Sequence, residues 1–137
     1  MKKVSALVSI LLLLMAVAAC GGRTDVTVDY GISSIYSQED MNDAISLIKN
    51  EFSTWKGCDL HTVSYDTDDC NSEENIEWMN ALNEGQNYAQ CIAFLSDFHS
   101  PKDGGGAWDE DREYTNWQWW LARPDGGHWD LLTWGYG

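Results

Sequence analysis

Apolar and polar positions change their spacing several times along this chain, and each change marks an element. Val4 to Ala19 runs without a charge, broken only by Ser5 and Ser9. From Met41 the pattern becomes amphipathic: Met41, Ala44, Ile45, Ile48, Phe52 and Trp55 recur at the three-and-four spacing of one helix face. Ser37 stands at the N-cap position with Asp40 three residues on, a shorter version of the capping-box acid. Tyr36 and Met41 are placed as a hydrophobic staple. Gly57 supplies the C′ residue. The spacing therefore predicts a helix from Ser37 to about Trp55.

After it the period shortens. Cys58 to Tyr65 alternates well enough for a strand, with Leu60 and Val63 imperfectly in phase, and an acidic loop at Asp66–Asp69 leads to a second helix. Asn71 or Ser72 caps that helix, Ile76, Met79 and Leu82 form its inward stripe, and Gly85 closes it. Tyr88 to Phe98 is apolar on both faces for most of its length, as in a central strand. Ser100 to Glu113 reads as a long loop around Gly104-Gly105-Gly106. Tyr114–Arg123 and Gly127–Tyr136 form a hairpin over Pro124-Asp125-Gly126, a type I turn with a G1 bulge. That turn pairs Arg123 with Gly127, placing Trp117, Trp119, Leu121, Trp129 and Leu131 on one face. Trp120, Trp134, His128, Gln118 and Asn116 fall on the other. The expected fold is α+β, a curved antiparallel sheet with two helices on one face in the order α-β-α-β-β-β. Residues 21–35 read chiefly as a tether, although Val26-Thr27-Val28 could add a short strand.

The amino terminus changes the picture of where the domain works. Met1-Lys2-Lys3, the uncharged run and small Ala18-Ala19 have the layout of an export signal. Val17-Ala18-Ala19-Cys20-Gly21-Gly22 resembles the bacterial lipobox, in which that cysteine is lipidated and becomes the first mature residue. The expectation is residues 1–19 as signal, a lipid anchor on Cys20, residues 20–35 as tether, and one extracytoplasmic domain over 36–137. With Lys2 and Lys3 removed, six basic residues face 22 acidic ones, a net charge of −16. Nucleic acid is excluded as a partner, because its phosphates need basic clusters. The membrane contact is then the lipid alone.

Cys58, Cys70 and Cys91 remain after Cys20 is spent, an odd number. A strand from Cys58 to Tyr65 travels ~23 Å, whereas five residues returning to Cys70 reach at most ~18 Å. No Cys58–Cys70 bridge is expected, and the thiols read as small buried apolar groups.

Tyr36-Ser37-Gln38-Glu39-Asp40, Gly57-Cys58-Asp59-Leu60, Leu95-Ser96-Asp97-Phe98, Asn116-Trp117-Gln118-Trp119, Gly127-His128-Trp129 and Thr133-Trp134-Gly135-Tyr136 carry a resemblance. They resemble a family of small lipoproteins of anaerobic Gram-positive bacteria with a domain of unknown function, similar to the nuclear-transport-factor-2-like, or cystatin-like, cone fold. The resemblance covers residues 36–137 and implies no activity and no functional residue.

The candidate chemistry is sparse. Asp97 and His99 stand two apart at a strand end, as a base and its orienter would, though a solvated strand end also explains them. No Ser lies in a nucleophile elbow. Asp66-x-Asp68 with Glu77 at position 12 faintly resembles a calcium loop, but Cys70 and Asn71 stand where an oxygen ligand and the turn glycine belong. Asp109–Glu113 reads as a solvated charge run. No metal or cofactor is implied. The tryptophans carry more: Trp117, Trp119 and Trp129 as core or as pocket lining, Trp120 and Trp134 with His128 as an exposed contact surface. The leading expectation is a non-catalytic binding domain whose outer sheet face meets a second copy or another envelope protein. The alternatives are a small enzyme using Asp97 or a histidine as general base, and a carbohydrate-binding module using tryptophans.

Overall fold

The computed structural model describes residues 25–105 and 107–136; the apolar run and Cys20 lie outside the described residues. Among the described residues no helix is long and apolar enough to cross a membrane. The elements are β1 (Thr27–Asp29), α1 (Gln38–Phe52), β2 (Asp59–Tyr65), a single 3₁₀ turn (Asp68–Asn71), α2 (Glu73–Leu82), β3 (Gln90–His99), β4 (Glu113–Arg123) and β5 (Asp130–Gly135). The fold is α+β. Its five strands lie side by side in chain order, with β1 parallel to β2 and every other pair antiparallel.

The start of α1 is built as its sequence dictates. Ser37 Oγ accepts from Asp40 N at 3.1 Å and Asp40 Oδ2 accepts from Ser37 N at 3.0 Å, a reciprocal capping box worth roughly 1 kcal/mol. Tyr36 and Met41 are both buried, as a staple requires. The helix stops at Phe52, three residues short of Trp55, and turns follow. Gly57 has φ +77°, and a Cβ there would lie 2.9 Å from Pro101 Cγ, so any other residue would be strained and would push Pro101 aside.

Two expectations about the layers are corrected. The short strand allowed for at Val26–Val28 forms as β1 within the residues read chiefly as a tether, and Ser33 and Ser34 bond the Asp68 carboxylate, so ordered packing begins well before Tyr36. The helices do not share a face. Successive side chains of β3 and β4 point to opposite sides, and Ile92 with Leu121 pack into the α1 cluster, while Cys91 with Ala122 pack against Met79 of α2. The sheet is therefore covered on both sides, by α1 along one face and by α2 over part of the other. Residues 91–94 are buried without alternation for this reason. Leu82, expected inward, is 47 % exposed, because only Met79 of α2 is fully covered.

The hairpin register is corrected too. Gly126 takes the left-handed conformation at φ +68° and Gly127 N donates to Pro124 O at 2.9 Å, as the turn predicts. Strand pairing nevertheless resumes only at Ala122 with Asp130. Trp129 is held out of the ladder: its indole N–H donates to Asp40 O at 3.0 Å, and the Arg123 guanidinium stacks 4.2 Å above its ring. A bulge follows, with Leu121 opposite Leu131 but Trp120 opposite Thr133, so Trp119 faces Trp134. One inserted residue moves Trp134 to the α1 side.

Candidate functional site

The sequence-derived candidates separate onto three parts of the molecule. Trp119 is core: it is fully buried and its indole N–H donates to Ser96 Oγ at 2.8 Å. Trp117 belongs to an aromatic cluster on the same face, between Trp55, Phe98, Trp108 and Tyr114 at 5.4–6.2 Å. Trp134, expected on the outer face, instead packs on Trp119 at 5.7 Å and Trp55 at 6.3 Å.

Trp120 does lie on the opposite face, but α2 reaches it. Trp78 of α2 meets Trp120 edge-on at 5.2 Å and stays 40 % exposed. The Trp120 indole N–H donates to Gln118 Oε1 at 3.0 Å, which fixes the ring plane. Beside this pair the sheet face continues half-buried through Leu95, Gln118, Thr133, Thr62 and Ser64. The result is a strip of hydroxyl, amide and apolar groups next to two packed indoles. Sequence reading missed Trp78; its signal was a tryptophan one position off the Ile76–Met79 stripe.

His128 lies elsewhere. It precedes β5 and lines a cavity of about 320 Å³ with Asp43, Ser46, Leu47, Arg123 and Trp129, on the α1 side. This corrects its expected place beside Ala122 on the outer face.

Asp97 and His99 share β3 but serve different partners. Asp97 Oδ1 accepts from Asn116 N at 3.0 Å and so supports the left-handed turn at that residue, φ +56°. His99 is held at both nitrogens, by Asp111 Oδ1 at 2.7 Å and Glu113 Oε2 at 2.9 Å, while His61 meets the other oxygen of Glu113 at 2.8 Å. The bond to Asp111, then that to Glu113, raises the His99 pKa. With a carboxylate at each ring nitrogen, His99 ties β3 to Asp111 and to Glu113 of β4, and neither nitrogen stands open to a substrate.

Cys58, Cys70 and Cys91 are all buried and unbridged. Burial pushes the Cys58 thiol up to about 11 and the Cys91 thiol up to about 12, so both remain thiols at neutral pH. Among the described residues no group of His, Cys, Asp or Glu is arranged to hold a metal.

Comparison with protein-family models, curated proteins and solved structures finds no match to this chain.

Proposed function

We propose that this is an exported lipoprotein, anchored through Cys20, whose domain binds another envelope protein through the open sheet face beside α2. The observation that carries the reading is Trp78 against Trp120. A tryptophan that is 40 % exposed in the middle of α2 and braced edge-on by a second, hydrogen-bonded indole is a rigid contact group with little entropy left to lose. The neighbouring strip of β2–β5 offers the half-buried hydroxyl and amide groups of Thr62, Ser64, Gln118 and Thr133.

Charge selects between the two partners considered from the sequence. Between Lys56 and Lys102 there is no lysine or arginine and there are nine acidic residues, Glu73, Glu74 and Glu77 of α2 among them. Lys49 and Lys56 belong to α1 and the turn after it, and Arg123 bonds Asp40 of α1, all on the other layer. Two copies meeting through the α2 face would bring like charges together. A partner with a basic surface is favoured by the same field.

Trp78→Ala combined with Trp120→Ala is expected to remove any envelope protein that co-purifies with the detergent-extracted lipoprotein, with the melting temperature lowered by no more than a few degrees. Retention of that partner by a folded double mutant would sink the reading. The carbohydrate-binding alternative uses the same indoles and would appear as retention on a polysaccharide column that the double mutant loses.

A further inference from the structure

We infer that the cavity between α1 and the β4–β5 turn binds a small zwitterion, an α-amino acid or a short peptide with both termini free. The site lies on the far side of the sheet from Trp120 and is independent of the partner surface proposed there. Its volume, about 320 Å³, is at the lower end of the range for small-ligand sites, and the site is an open pocket rather than an enclosed one.

The polarity of its wall is segregated. The α1 side offers acceptors. Asp43 is a carboxylate on the exposed edge of the helix, and Ser46 Oγ already donates its proton to Asn42 O at 2.9 Å, so what it retains is a lone pair. The hairpin side offers donors. Arg123 is mostly covered, its side chain 12 % exposed, and its guanidinium is held in place by three contacts. Nε donates to Gln90 Oε1 at 2.6 Å, one Nη donates to Asp40 Oδ1 at 3.0 Å, and the plane rests on Trp129. Among the described residues the other Nη carries no hydrogen bond, and a guanidinium with an open edge is suited to a carboxylate. His128, also in this wall, adds an imidazole able to donate. Leu47 and the buried Trp129 supply apolar surface between the two polar sides.

A simple anion would meet Asp43 and the domain's excess of acidic over basic residues; a simple cation would meet Arg123. A ligand carrying both charges satisfies both walls at once: its carboxylate toward Arg123 and His128, its ammonium toward Asp43 and Ser46, its side chain toward Leu47 and Trp129. No bond is made or broken.

The test is a titration of the folded protein, followed by calorimetry and tryptophan fluorescence. The ligands are the common L-amino acids and the dipeptides dialanine and dileucine, each strongest binder being compared with its N-acetyl and C-amide forms. The expected result is saturable binding of at least one zwitterion with Kd under about 1 mM, weakened about fivefold or more when either charge is blocked. Saturation by a free amino acid identifies that source; saturation by a dipeptide alone identifies a peptide. Asp43→Asn is expected to weaken the zwitterion and the amide while leaving the N-acetyl form unchanged. Ser46→Ala, which removes the other acceptor, acts in the same direction and keeps the test open if Asp43→Asn disturbs α1. Failure of every zwitterion to saturate, equal binding of the blocked forms, or unchanged affinity in both folded variants overturns the inference.

Discussion

Phe52→Ala tests whether α1 is the keystone of the larger core. Phe52 is the last residue of α1 and is fully buried. Its ring lies 5.0 Å from Trp55 and 5.5 Å, edge-on, from Phe98 of β3. Around it stand residues that have nowhere to collapse to: Ile48 and Cys58 are at 0 % exposure, and Phe98 is stacked on Tyr114 at 4.9 Å with an interplanar angle of 5°. The void left by the missing ring should therefore persist, which places the cost at the ordinary value for a buried phenylalanine, ~3–5 kcal/mol. Domains of this size hold only ~5–15 kcal/mol in all, so the variant should be folded but weak. At roughly 4 °C per kcal/mol, the melting temperature should fall by about 12–20 °C. Phe52→Leu keeps most of the volume and should cost less than half as much. The assay is thermal unfolding by circular dichroism at one pH and salt concentration, with chemical denaturation to check that the m-value is unchanged. A Phe52→Ala melting point within 3 °C or so of the parent would mean that α1 does not lie against β3 as described.

Two more outcomes can be checked simply. Four donors converge on Asp68, from Ser33 Oγ, Ser34 N, Ser34 Oγ and Tyr65 OH at 2.6–2.9 Å. The Ser33 bond, then the Ser34 amide and Tyr65, hold its carboxyl well below the usual carboxylate range. Because the folded pKa is depressed, its contribution is complete above the unfolded value of about 3.9 and is lost as pH falls toward the folded one. Asp68→Asn should lower stability at pH 7 and flatten the decline between about pH 5 and pH 2; parallel stability curves for the two proteins would refute the assignment. Cys20→Ser should release the protein from the membrane fraction, and a variant that stays membrane-bound after a salt wash would rule out the lipid anchor.

Local patterns were legible where short-range chemistry decides the outcome. The capping box at Ser37 and Asp40, the burial of the staple pair, the Ser72 cap, the left-handed Gly126 and the Met41–Phe52 stripe each depend on residues within a few positions of one another, and all are present; Gly57 is left-handed but lies beyond the Ser53 cap and does not end α1. The α+β composition of the fold follows from them. What sequence could not decide was anything set by an encounter between distant segments. The three-residue turn formed as expected, yet pairing began late because Trp129 found Asp40, 89 positions earlier, and Arg123 found both. The resulting bulge carried Trp134 across the sheet, and with it half of the expected contact surface. The helices divided between the two faces because β3 is apolar on both. A continuous apolar run at 91–94 says that two layers will cover it, and it does not say which helix takes which side. The cavity at His128 is likewise a product of assembly, its acceptors drawn from a helix and its donors from a hairpin about 80 residues away, brought together only when the core closes.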